Sequence, residues 1–184
     1  MARLLDIVDE NDNIIGQQDR GKIHQDGLLH REVHVYFFTP RGELIFQHRA
    51  KDKDTFPDLL DATVGGHVEI GHSYEETAVK EAAEETGIKI DPAGLMLVGA
   101  IDKYRERDVV TGKTNNAFRA HYAYLYEGEI KDLKIEAGKS LGFEVWTAAR
   151  LMNANEDELA RFIPYVARFA RKELFAFLNK NIKI

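Results

Sequence analysis

Hydrophobic and polar positions alternate along most of this chain with the two-residue period of a strand. LLDIVD, near the N-terminus, predicts a short strand, ENDN a turn and IIGQQ the returning strand. EVHVYFFT predicts a longer one, which PRGE turns into LIFQHRA. LLDATVGG predicts a strand ending at a glycine pair, Gly65 and Gly66. MLVGAIDKYRER and NAFRAHYAYLYEG predict two long strands joined through DVVTGKTN as a hairpin, and FEVWT a last strand. The period becomes helical in two places. One runs from Ser73 to Thr86. The other runs from about Glu156 to Asn179, with Leu159, Phe162, Ile163, Val166, Phe169 and Ala170 at helical spacing and Pro164 marking a break. Mostly strands with one central and one terminal helix predict an α/β (α+β) sandwich, a mixed sheet between helices. No repeat or linker divides the chain, so residues 1–184 are expected to form a single domain with a C-terminal helical extension over about 156–180.

Composition narrows the classes. The chain has no cysteine, which removes disulfides, thiolate metal sites and cysteine nucleophiles together. No apolar run approaches the ~20 residues of a membrane span, and MARLLDIVDENDN turns acidic too soon for a signal peptide, so the expected compartment is cytoplasmic. A net charge of −6 argues against nucleic acid as a partner. It does not argue against a small anionic substrate, because a metal or a local basic patch reverses the field. Monomer and homodimer both fit.

The central helix carries the candidate chemistry. Ser73 is placed as its N-cap, Glu76 completes a capping box, and Gly87 is placed to end it in the left-handed conformation. At about 100° per residue, Glu81, Glu84 and Glu85 fall within one sector. Val79, Ala82, Ala83 and Thr86 lie roughly opposite, as a small-residue face expected to meet the sheet. Such glutamates repel by roughly 0.2–0.5 kcal/mol per pair, and they stand at the helix end where the dipole disfavours negative charge. A solvated acidic face is the plain reading of an arbitrary helix. The position of these carboxylates, just after a Gly-Gly strand end where backbone can approach a ligand, points instead to a hard divalent ion such as magnesium.

The stretch from Gly65 to Ile88 resembles the Nudix box, G-x5-E-x7-R-E-U-x-E-E-x-G-U, where U is a large aliphatic residue. Gly66, Glu81, Glu84, Glu85, Gly87 and Ile88 match it. His72, Lys80 and Ala82 stand where the pattern has glutamate, arginine and an aliphatic residue. The resemblance implies a Nudix-type α/β/α sandwich in which the box glutamates, here Glu81, Glu84 and Glu85, bind catalytic Mg2+, with Mn2+ as an alternative. Lys80 keeps the arginine's charge without its bidentate fork.

Over most of residues 4–150 the chain is also similar to the Nudix subgroup related to isopentenyl-diphosphate isomerase. The resemblance implies that Arg49 and Lys53 bind a diphosphate, and that His24, His30 and His67 form a second metal site. The isomerase needs a catalytic cysteine where this chain has Gly65, so its chemistry is not expected here. The expected activity is Mg-dependent hydrolysis of a diphosphate linkage in a nucleoside diphosphate-linked or related small molecule. The alternative is a Nudix-fold binding or regulatory module that has lost catalysis. Hydrolysis needs the bridging oxygens neutralised, a water oriented and its proton removed. Glu84, Glu85 and Glu136 are the candidates for the last task, with Glu144 read more readily as an exposed strand residue. His34 reads as a packed strand histidine and Trp146 as core, while His48 and His121 carry no signal.

Overall fold

The structure is a computed structural model in which residues 3–182 are described. β1 (Leu4–Val8) and β2 (Ile14–Asp19) form the expected hairpin. A helix that no hydrophobic period announces comes next, α1 (Arg20–Asp26). Its sequence, RGKIHQD, has no apolar stripe; its ends fix it instead. The Asp19 side chain accepts from the N–H groups of Gly21 and Lys22, and Gly27 closes the helix at φ 65°.

β3 (His30–Phe38) is the hub of the sheet. Along one edge it runs parallel to β9 (Thr114–Leu125), in unbroken register from His30 opposite Ala117 to Phe38 opposite Leu125. Its other edge is shared by three strands. β1 meets it at His30, β6 (Val64–His67) from Glu32 to Val35, and β4 (Leu44–Arg49) at Phe37 and Phe38. β5 (Leu60–Asp61) and β10 (Ser140–Trp146) pair with β4, while β7 (Met96–Leu97) and β8 (Asp102–Arg107) pair antiparallel with β9.

Alternation then assigns the faces. Val33, Val35 and Phe37 pack with Ile45 and Val64 beneath α2 (Tyr74–Thr86), through its Ala78 and Ala82. Tyr36 and Phe38 face the opposite way, against Phe46, Trp146 and the C-terminal helices. The result is a mixed sheet between helical layers, as the sequence predicts.

Three details differ from the sequence-based expectation. LLDATVGG is two strands, β5 and β6, because Ala62 and Thr63 carry the chain from β4 across to β3. MLVGAIDKYRER is interrupted at Gly99, whose φ of 73° no extended strand accommodates, and becomes β7 and β8. The C-terminal stretch follows a short α3 (Ala148–Met152) and is divided: α4 (Glu156–Leu159), then α5 (Pro164–Phe169) and α6 (Phe175–Asn181) joined by a π-helical turn, Ala170–Leu174. Pro164 stands in the first turn of α5, where its missing N–H has no intrahelical partner to lose.

Candidate active site

The in-register pairing of β3 with β9 and β6 builds the site. Even-numbered residues of β3 and odd-numbered residues of β9 share one face. Glu32 therefore stands between Arg119 and His67, and His34 between His121 and Gly65. Beside these residues lies a cavity of about 370 Å³ lined by residues of β3, β4, β6, β9, α1, α2 and the loop at 50–58.

Glu81 and Glu85 reach this cavity from α2. The helix is capped as predicted: Ser73 Oγ accepts from the Glu76 N–H at 3.1 Å, and Glu76 returns the bond to the Ser73 N–H at 2.8 Å. Its faces are arranged differently. Glu81 and Glu85 are buried beside Ala78 and Ala82, whereas Val79 and Ala83 are only half-buried. The two carboxylates thus belong to the packed face, and Gly66 is what admits Glu81. Both glycines lie in β6 rather than in a loop. A Cβ on Gly66 would stand 2.4 Å from the Glu81 side chain, and one on Gly65 would stand 3.2 Å from His34. The Gly65 N–H and the Gln47 amide each donate to Glu85 Oε2 at 3.2 Å.

Burial, followed by the charge of Glu81, pushes the Glu85 carboxyl up to about 7, and burial raises Glu81 as well. Glu84 departs from this pair. Its side chain is 45% exposed, lies 3.4 Å from Lys80 and does not line the cavity. The box departures have local partners. Lys80 bonds Glu69 at 2.8 Å, and Arg3 bonds the same carboxylate at 3.1 Å, so Glu69 anchors the cation that takes the box arginine's place. His72 is exposed.

Cations face the acidic pair. Arg49 and Lys53 both line the cavity, with different freedom. Arg49 is bound internally, to Asp61 at 2.8 Å and to the carbonyls of Thr55 and Phe56 at 2.7 and 3.0 Å. Lys53 is half-buried, and burial and then the neighbouring Arg49 charge lower its pKa. Lys139 lines the wall as well. Glu136 does not line the cavity; it holds Lys139 at 2.9 Å and, against the cost of burial, keeps that ammonium protonated together with Glu85. Glu144 is turned away, bonded to Arg161 and to the Trp146 indole.

His24, His30 and His67 converge. Their ligand atoms all lie within 4.8 Å of one another, the only such group of three among the described histidines and acids. Nε2 of His24 lies 2.9 Å from Nε2 of His67, and His67 and His30 place Nε2 3.3 and 3.4 Å from Glu32 Oε1. Burial lowers His24 to about 4 and His67 well below the usual imidazole range, so both are neutral near pH 7 and present lone pairs. Burial disfavours the Glu32 anion too, but Arg119 and the histidines overcome it and hold its pKa well down.

Sequence reasoning missed Glu32, Asp61, Tyr104, Asn115, Arg119 and Lys139. A signal existed for the first: His30, Glu32 and His34 are polar at alternate positions of one face of a strand that is apolar from Val35 onward apart from the Tyr36 hydroxyl. His121, which carried no sequence signal, is buried with Nε2 2.9 Å from the Tyr165 hydroxyl.

Residues 28–166 match the NUDIX domain. The chain is 32% identical over 162 residues to an uncharacterised Nudix hydrolase of Clostridium acetobutylicum, covering 86% of this chain and 73% of that one. It is 45% identical over 84 residues to an uncharacterised Nudix hydrolase of Streptomyces coelicolor, 46% of each chain. The fold superposes on the crystal structure of DR0079 from Deinococcus radiodurans with a TM-score of 0.62 at 24% identity, over 93% of this chain and 91% of that one. The chain belongs to the Nudix family, and it is a hydrolase of that family.

Proposed function

We propose that the protein hydrolyses a diphosphate linkage in a small molecule, a nucleoside diphosphate joined to a second group or a relative of one, with the help of a divalent cation. The observation that supports this best is the cavity itself. Two buried carboxylates, Glu81 and Glu85, face Arg49, Lys53 and Lys139 across a space large enough for a small ligand. Oxygen donors beside a phosphate-sized cation cluster suit Mg2+, with Mn2+ as the alternative. Glu81 and Glu85 would hold it, joined by Glu84 once that side chain leaves Lys80. When bound, the metal offsets charge on the phosphate oxygens and acidifies water. Lys53 and Arg49 bind the diphosphate, Lys53 by direct contact and Arg49 largely by fixing the loop that carries it. Glu85, buried on the cavity wall, is the box carboxylate placed to take a proton from water there. Glu136 acts through Lys139.

The test is phosphate release from a panel of nucleoside diphosphate compounds, with Mg2+ and with chelator, for the wild type and Glu85→Gln. Release should require the cation and fall by roughly two orders of magnitude or more in the variant. If compounds bind calorimetrically but none is cleaved, the protein is a binding or regulatory module instead.

The histidine cluster supports a second metal. His24, His30 and His67, with Glu32 beside them, form a nitrogen-rich donor set suited to zinc or manganese. Elemental analysis of untagged protein should find a transition metal, and His30→Ala with His67→Ala should abolish its uptake. Metal content equal in both proteins would leave the three as packing residues.

A further inference from the structure

A second cavity, of about 780 Å³, lies between the β8–β9 turn and the C-terminal helices. Leu59, Val109, Val110, Met152, Phe162 and Ala167 give it an apolar lining. Val109 is 92% exposed and Val110 76%, two β-branched residues left in water at a hairpin tip where polar turn residues are the norm. The charges at its mouth are unbalanced. Its two acids are turned onto the protein's own donors: Asp108 accepts from the N–H groups of Phe56 and Val110 and from the Thr111 hydroxyl, and Glu106 from the Tyr165 N–H. Its cations are Arg107, Arg168, Arg171 and Lys172. Arg168 lies 5.4 Å over the Tyr165 ring, Arg171 gives one N–H to the Met152 carbonyl, and Lys172 lies 3.3 Å from Glu173. On a chain of net charge −6, this places a cationic rim around an apolar trough.

We propose that this groove binds a free single-chain alkyl anion, a long-chain carboxylate or alkyl phosphate, with its chain along the apolar floor and its head among the arginines. The volume falls in the range of small-ligand sites, and the charge selects the anionic amphiphile over a neutral or cationic one. The groove is separate from the diphosphate site but adjoins it. Phe56 lines both cavities, with its N–H held by Asp108 and its carbonyl by Arg49, so the groove touches a residue of the loop that Arg49 fixes.

The test is calorimetric titration of the full chain with dodecanoate and dodecyl phosphate below their micelle concentrations. Dodecyltrimethylammonium is the charge-reversed control. Saturable one-to-one binding of both anions is expected, with the cationic amphiphile roughly tenfold weaker or more. Val110→Glu and Arg171→Glu, both at the accessible mouth, should each weaken binding by roughly tenfold or more. Leu97→Glu, an exposed apolar position on β7, should leave it unchanged; circular dichroism confirms that each variant folds. The proposal is overturned by equal binding of the cationic amphiphile, by affinity unchanged in both groove variants, by equal loss in Leu97→Glu, or by binding confined to vesicles of anionic phospholipid.

Discussion

Glu85 is held by the Gly65 N–H and the Gln47 amide, with a second carboxylate close by and burial on every side. Its pKa rises from an ordinary 4.5 to about 7, so between those values the folded state binds more protons than the unfolded state. The stability this group contributes is therefore complete below about pH 4.5 and lost as the pH rises through 7, on the order of 3 kcal/mol in all. Denaturation of metal-free protein across this range should show the wild type losing stability relative to Glu85→Gln as the pH rises, and Mg2+ should restore it at pH 8. A difference that stays flat with pH would mean that Glu85 ionises as an ordinary surface carboxylate does. The two cations proposed to bind the diphosphate, Arg49 and Lys53, separate in the same way. Lys53→Ala should raise KM roughly tenfold at unchanged Tm, because its ammonium is not built into the loop. Arg49→Ala should lower Tm by several degrees, since it strands the buried Asp61 and two carbonyls. The family resemblance gives the two residues one role; steady-state kinetics beside thermal melts would separate them. The Glu81–Glu85 pair was legible in the chain because helical geometry is local. The outward turn of Glu84 was not, because it depends on which face the sheet takes.

Helix α1 shows what local pattern cannot supply. Its seven residues hold no apolar stripe, so only its caps betray it, and Asp19 and Gly27 flank a stretch that reads equally well as a turn. Yet α1 delivers His24 to the histidine cluster, and Arg20 fastens it to Asp54 of the loop at 50–58 at 2.5 Å. Asp19→Ala removes the side chain that accepts two N–H bonds and should cost about 1 kcal/mol. A larger effect is expected on the metal. Affinity at the histidine cluster should fall well beyond that of a matched exposed substitution such as Glu10→Ala, read by competition with a chromophoric chelator. Unchanged affinity would show that α1 is held by packing alone. The strands were more legible, since alternation fixed β3, β4, β9 and β10 in outline. Their partners were not: that β3 pairs parallel with β9, and shares its other edge among β1, β6 and β4, follows from which faces can be buried together.

Across the whole molecule, the sandwich and the acidic helix were written in periodicity and in one motif, while the cavity walls were written in pairing. Glu32 is far in sequence from Asn115 and Arg119 and meets them only because Arg119 is registered opposite it. That registration acts as a reading frame. Removing Val33 from the middle of β3 would send the side chains after it to the opposite face, placing His34 under α2 and Val35 in the cavity. No single repair elsewhere would restore them. Chain-length change should therefore be tolerated only in the punctuation between strands, such as the turns around Asn11 and Gly112, whereas β3 and β9 should accept only substitution. One residue inserted beside Gly112 should leave diphosphate hydrolysis intact. The same insertion between Val33 and His34 should abolish it together with metal uptake.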